Sequence, residues 1–295
     1  MFLCSSSLIV SATDAASLVK QSLSKISVNY STTDNYMNAF YKERVLKNHE
    51  AISVNEAVLD IEKISYTRQQ KDRIAIRDLR GNNYHNNNIP FNVKLQGGPV
   101  SAIELDVVKN PFLGCLPYQV SDYYNFEYEE SQMLHGKEFY VVSFNQKPGT
   151  ERNLFRGKIF IDKESLAIGR IEYSMNIEND SWSYGKFVSK KPRNSDIRMV
   201  EATYVVSYRE YNNKWYFDYS TSNISFNIQD RAEQTYDTYS INSQMAVTNL
   251  VADNFSIDKK EMVKSTDILA DKANNTTLAS DWDIYNLIML LAINY

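Results

Sequence analysis

The feature that most constrains this chain is a series of segments in which apolar and polar residues alternate one for one. Ile171, Tyr173, Met175 and Ile177 alternate with Glu172, Ser174, Asn176 and Glu178. Successive side chains of an extended strand point to opposite faces, so this pattern sets one row against a core and the other against water. Tyr124, Phe126 and Tyr128 alternate in the same way with Asn125 and Glu127, and Tyr204, Val206 and Tyr208 with Thr203, Ser207 and Arg209. Trp215, Phe217 and Tyr219 follow Asn212-Asn213, a pair that tolerates positive φ and closes tight hairpins. Ile224, Phe226 and Ile228 make a further run, and Ser240 to Leu250 a weaker one. Phe139 to Phe144 is apolar at nearly every position and predicts a strand buried on both faces, followed by Gly157 to Asp162. Roughly ten such strands joined by short turns imply a meander, and one large sheet of that size curls.

The first part of the chain reads differently. Asp14 precedes a stretch in which Leu18, Val19, Leu23 and Ile26 recur at helical spacing, so Asp14 is the expected N-cap of an amphipathic helix packed on the sheet. Strands are expected over Met37 to Arg44, Ala51 to Ile61 and Arg73 to Leu79, with Asn48-His49 as the intervening turn. Asn82 to Pro90 reads as a loop, Val100 to Val108 as strand or helix, and Asn110 to Pro117 as a connector. The expected fold class is therefore α+β: a large, curved, half-barrel-like antiparallel sheet with an N-terminal helix. Residues 14–295 are expected to form a single domain, and residues 1–13 a degraded signal or the remnant of an upstream domain. The apolar stretch Phe2 to Ala12 lacks a basic residue before it. The apolar run Leu287 to Ile293 is too short for a bilayer span, which needs about 20 residues, so no transmembrane span is expected.

Composition narrows function by exclusion. The 295 residues are 43% hydrophobic and carry a formal charge of −4, so there is no basic surplus of the kind that nucleic acid requires. Lys186, Lys190, Lys191 and Arg193 read as a solvated loop. Two cysteines, Cys4 and Cys115, make no disulfide framework, and the three histidines, His49, His85 and His135, fall at turns or loops without metal-binding spacing. Gly97-Gly98-Pro99 lacks the Lys and helix of a phosphate loop. Glu56 with Asp60, and Glu127 with Glu129, are acidic pairs whose spacing alone names no acid and base. No catalytic residue, metal ligand or cofactor is expected.

With 21 Tyr and 13 Phe, the aromatic rows carry the functional argument. If Tyr124, Phe126, Tyr128, Ile171, Tyr173, Met175, Tyr204, Tyr208, Trp215 and Phe217 point into the hollow of a curved sheet, they line an apolar trough and are the expected ligand-binding set. The alternative is that they are core beneath a helix or loop.

Ordered segments along the chain resemble the region that follows the carboxypeptidase-like regulatory domain in envelope proteins of Bacteroidota. These are Ala15-Ala16-Ser17-Leu18-Val19-Lys20, Ala39-Phe40-Tyr41-Lys42-Glu43, Glu56 to Ile61, Asp72-Arg73-Ile74, Gly157 to Asp162, Lys214 to Phe217, and Asp281 to Asn286. Ser7 to Ala12 is similar to the junction with that upstream domain. The Gly157 to Asp162 strand followed by Ala167-Ile168 and Ile171 also resembles lipoprotein-carrier proteins, which fold as open half-barrels with a helix on the concave face. These resemblances imply a cell-envelope location, periplasmic or outer-membrane associated. They also imply non-catalytic binding of an apolar small molecule, a lipid chain or a segment of another envelope protein. A structural or interaction module with a self-filled trough is the second reading, and a glycan hydrolase the third.

Overall fold

The computed structural model describes residues 14–83, 94–95, 98–150, 153–177, 188–190, 194–232, 234–251, 256–267 and 269–273. The expectations placed on Phe2 to Ala12, His85, Leu287 to Ile293 and Asp281 to Asn286 lie outside them. Helix α1 (Ala15–Ser24) begins where Asp14 accepts the backbone N–H of Ser17 at 2.9 Å, and α2 (Ile26–Asn29) adds one more turn. Strands β1 (Asn35–Lys47), β2 (Glu50–Lys63) and β3 (Arg73–Asn83) follow, then β4 (Lys94–Leu95) and α3 (Gly98–Glu104). A 3-10 turn (Pro117–Gln119) and α4 (Val120–Tyr123) lead into β5 (Tyr124–Leu134), β6 (Lys137–Gln146), β7 (Phe155–Asp162) and β8 (Ile168–Met175). The chain continues through β9 (Val188–Lys190), β10 (Ser195–Tyr211), β11 (Lys214–Asp230), β12 (Thr235–Val251) and α5 (Leu269–Lys272).

Ten strands form one antiparallel sheet in the order β3-β2-β1-β12-β11-β10-β8-β7-β6-β5. Among the described residues the sheet is open, with β3 and β5 at its edges, while β4 and β9 pair separately. Two hairpin turns use the expected chemistry: Asn48 and His49, and Asn212 and Asn213, all have positive φ. The order departs from a simple meander because the N-terminal hairpin joins the C-terminal strand, β1 pairing along its length with β12. The runs at Trp215 and Ile224, expected as separate strands, are one 17-residue strand, β11. Its bulge at Asp218, where Tyr208 pairs with Phe217 but Ser207 pairs with Tyr219, moves Tyr219 off the face that Trp215 and Phe217 share. The ambiguous segment at Val100 is helical and part of α3.

One face of the sheet is covered by the chain itself. Helix α1 packs at the β5 edge, α2 touches β11, and α3 lies over β11 and β12. The connector after α3 sends Val107, Val108, Phe112 and Leu113 into the core, beside Tyr30 and Tyr66. Charges clamp this connector down. Lys63 is fully buried, and its ammonium lies 2.6 Å from both Asp72 and Asp106. Asp106 also accepts the Tyr208 hydroxyl at 2.8 Å and the Val108 backbone N–H at 3.2 Å. Lys109 reaches Asp72 at 3.1 Å and donates to the Ile64 carbonyl at 2.6 Å. Burial pulls the Lys63 pKa down, but Asp106 and Asp72 outweigh it and hold the ammonium above its usual range. Two cations and two carboxylates thus leave the cluster neutral.

Removing one member of a buried pair strands the others in low dielectric. Lys63→Met is expected to lose about 3–5 kcal/mol of stability in urea denaturation, and the added change Asp106→Asn should restore part of it. A loss under about 1 kcal/mol would assign the clamp no more weight than a surface pair.

Candidate functional site

Register decides which predicted residues meet. Across seven strands, Tyr173 pairs with Tyr204, Tyr204 with Ser222, Ser222 with Ser243, Ser243 with Glu43, Glu43 with Asn55 and Asn55 with Gly81. This row is aromatic at one end and polar at the other. The next row, Ile171-Val206-Ser220-Met245-Tyr41-Ala57-Leu79, lies in the same covered layer, where the Ser220 hydroxyl donates to the Ala102 carbonyl of α3 at 3.0 Å.

At the aromatic end the cover stands away from the sheet and leaves a groove of about 740 Å³. Tyr173, Met175 and Tyr204 form its sheet side with Phe155; Leu105, Val107 and Leu113 of the connector form the opposite wall. The Tyr173 and Tyr204 rings stack with centroids 4.9 Å apart, and Phe155 meets Tyr173 edge-on at 5.3 Å. Burial pushes both tyrosine hydroxyls well above their ordinary pKa, so both stay neutral. The rim is polar: Ser101, Asn110, Asn153, Ser265 and Thr266. Glu104 is the charged residue among the described lining, and Lys71 holds it at 2.7 Å.

The other predicted residues go elsewhere. Ile171 is fully buried core. Phe217 is sealed beneath Lys63, whose ammonium sits 5.7 Å from the ring, and its backbone N–H, released by the bulge, donates to Tyr66. Tyr124 packs edge-on against Phe144 and donates its hydroxyl to the Leu113 carbonyl at 2.6 Å, with Phe126 beside it. Tyr128 is 45% exposed, which removes it from any trough; β5 is an edge strand, and the cover does not extend over it there. Ile177 lies two residues past the end of β8. Tyr208 and Trp215 line a second, smaller cavity of about 370 Å³ with Phe139 and Gly169. The acidic pairs do not converge: Glu56 is held by Arg80 at 2.6 Å and Lys42 at 2.8 Å, Asp60 by Arg77, and Glu129 by Lys158 at 2.6 Å. Cys115 is a buried thiol directed at the Phe112 carbonyl. No cluster of metal-ligating side chains occurs among the described residues, and no described helix is long and apolar enough to cross a membrane.

Sequence reading missed the polar end of the row. Glu43 is nearly buried, accepts the Tyr41 hydroxyl at 2.8 Å and the Gly98 backbone N–H at 3.1 Å, and lies beside Ser243, which shares a hydrogen bond with Ser222 at 2.7 Å. Its alternation with Tyr41 on one strand face was the available signal.

No family model matches the chain, and no curated protein matches it. The resemblance to the Bacteroidota envelope region therefore finds no support. Solved structures do align along most of its length. A proposed outer membrane lipoprotein-sorting protein domain from Vibrio parahaemolyticus is 9% identical with a TM-score of 0.35, covering 92% of this chain and 97% of its own. A LolA superfamily protein from Nitrosomonas europaea is 7% identical with a TM-score of 0.29, covering 81% and 96%. MucB in the MucA/MucB complex of Pseudomonas aeruginosa is 8% identical with a TM-score of 0.25, covering 78% and 93%. Scores this low establish no common ligand, and the architecture given above rests on strand order and contacts.

Burial raises the Glu43 carboxyl above its ordinary pKa despite the bonds it accepts from Tyr41 and Gly98. A carboxyl raised on folding contributes stability below its unfolded pKa of about 4.3 and loses it as pH rises through the folded value. Glu43→Gln, which can still accept both bonds, is expected to be more stable than the parent at about pH 7, with the difference closing at about pH 4. Thermal midpoints at the two pH values check this; a pH-independent difference refutes it.

Proposed function

We propose that this protein is a non-catalytic binding protein of the cell envelope that holds a lipid-like apolar chain in the groove beside Tyr173, Met175 and Tyr204. One observation carries the reading: the connector and an aromatic sheet floor enclose a groove of about 740 Å³. The chemistry of the lining suits a flexible hydrocarbon. Stacked rings and leucines offer contact without direction, Met175 adapts to irregular shapes, and the polar rim suits a chain whose polar end stays in water. The charge at the rim is already neutralised by Lys71, so affinity rests on area. Burying roughly 300 Å² of chain contributes about 7 kcal/mol before the costs of association. The envelope location rests on the sequence resemblance to lipoprotein carriers, beside which stand the lipoprotein-sorting domain and the LolA superfamily protein among the similar structures.

A second reading has its own observation. Tyr30, Tyr66, Val107, Val108 and Phe112 already fill the middle of the trough, as expected of a structural or interaction module. Strand β5, an open edge exposed along most of its length, would then be the pairing surface.

Titration with N-phenyl-1-naphthylamine separates the two. Groove binding is expected to give a saturable fluorescence rise that oleate reverses, and Met175→Trp, which fills the groove, should weaken it about tenfold or more. A flat titration of the folded parent, or an unaltered one in Met175→Trp, would overturn the reading in favour of the module.

A further inference from the structure

The two tyrosines of the groove floor are set apart from other buried tyrosines by what their hydroxyls touch. Tyr30 donates to the Ile168 carbonyl at 2.6 Å, Tyr41 to Glu43 at 2.8 Å, Tyr124 to the Leu113 carbonyl at 2.6 Å and Tyr208 to Asp106 at 2.8 Å. The Tyr66 oxygen accepts the Phe217 backbone N–H at 3.2 Å. Each of these hydroxyls is engaged inside the protein. Tyr173 and Tyr204 are only 7% and 6% exposed, yet their hydroxyls meet no hydrogen-bond partner among the described residues. Nor are they shut away like the Tyr239 hydroxyl, which is enclosed without a partner; both residues line the groove.

Tyr173 and Tyr204 pair directly across β8 and β10, so both side chains rise from one face of the sheet. Their rings lie within 26° of parallel, and Phe155 packs edge-on against both, at 5.3 Å from Tyr173 and 6.4 Å from Tyr204. Packing therefore holds the rings and leaves the hydroxyl ends to the groove. Phenylalanine at both positions would supply the same apolar floor; the hydroxyls add two donors that no described contact within the fold uses. Burial, and for Tyr173 the neighbouring Tyr204 after it, keeps both protonated, so both donate at neutral pH. The groove offers an anion no counter-charge. Among the described lining residues the charged one is Glu104, an acid. A carboxylate buried at the tyrosines would go without a cation, whereas an uncharged carbonyl oxygen has two lone pairs for two donors.

Building on the reading of the groove as a site for a lipid-like chain, we propose that it selects a chain with an uncharged ester carbonyl within its apolar body, the carbonyl oxygen accepting the Tyr173 and Tyr204 hydroxyls. The hydrocarbon beside the carbonyl lies against Phe155, Met175, Leu105 and Leu113. A free fatty acid enters by its chain alone, with its carboxylate left at the polar rim.

A matched pair of probes tests this. Glycerol 1-monodecanoate and 1-O-decylglycerol share a headgroup and a chain length, and differ by a carbonyl in place of a methylene. In displacement of N-phenyl-1-naphthylamine from the parent protein, below the micellar range of either, the ester is expected to act at about tenfold lower concentration than the ether. Apolar area alone predicts the opposite order, because the ether is the more hydrophobic of the two. Decanoate should be weaker than the ester as well. Replacing both residues, Tyr173→Phe with Tyr204→Phe, should bring the ester-to-ether ratio to one or reverse it; a general loosening of the groove would weaken both compounds alike and leave the ratio. Equal displacement by ester and ether in the parent, or an unchanged ratio in the folded double variant, overturns the proposal while the groove reading stands. Failure of the dye itself to bind the parent removes both. The parent measurement decides alone if the double variant does not fold.

Discussion

The buried bridge from Lys63 to Asp106 and Asp72 fixes the relation between the sheet and what covers it. Lys63 ends β2, Asp72 precedes β3, and Asp106 follows α3, so one ammonium joins three separate parts of the chain. An ion pair of this kind is a weak contributor to net stability, since desolvation offsets most of the attraction. Its effect is on uniqueness: an apolar connector could settle anywhere on an apolar sheet, whereas Asp106 finds its counter-charge, the Tyr208 hydroxyl and its own Val108 amide at one place only. The tyrosine rings around it extend the constraint, with Tyr30 lying 5.0 Å from Tyr66 and 5.6 Å from Tyr208. The Tyr30 hydroxyl in turn donates to the Ile168 carbonyl at 2.6 Å, tying α2 to β8.

The groove follows from that placement. With the connector pinned near β11, the groove lies between it and the β7–β8–β10 stretch. The smaller cavity lies in the sheet itself, where β8 and β10 pair over only five residues. One space is apolar with a polar rim, the other aromatic with a charged rim.

Much of the sheet was legible from period-two alternation. The row at Ile171 and Tyr173, the strand at Tyr204 and Val206, and the Asn212-Asn213 turn are local patterns, and local sterics enforce them. Alternation marks the residues of the groove together with many that lie elsewhere. Tyr124, Phe217 and Ile171 carry the same alternation as Tyr173 and Tyr204, yet they are sealed by Leu113, Lys63 and the neighbouring strands. Alternation reports which face a side chain takes, and it is silent on what lies over that face. The bulge at Asp218 shows a second limit: one inserted residue sent Tyr219 to the opposite side from Phe217, with no glycine to announce it.

The sequence by itself determined an antiparallel, aromatic-rich sheet with a capped helix before it, because side-chain alternation, turn residues and the Asp14 cap act over a few residues each. Tertiary structure alone decided that β1 would join β12, that Lys63 would meet Asp106, and that the cover would open over Tyr173 and Tyr204. Those outcomes depend on contacts between residues tens to hundreds of positions apart. Such contacts are selected by the joint packing of the whole chain and leave no periodic trace in any one segment.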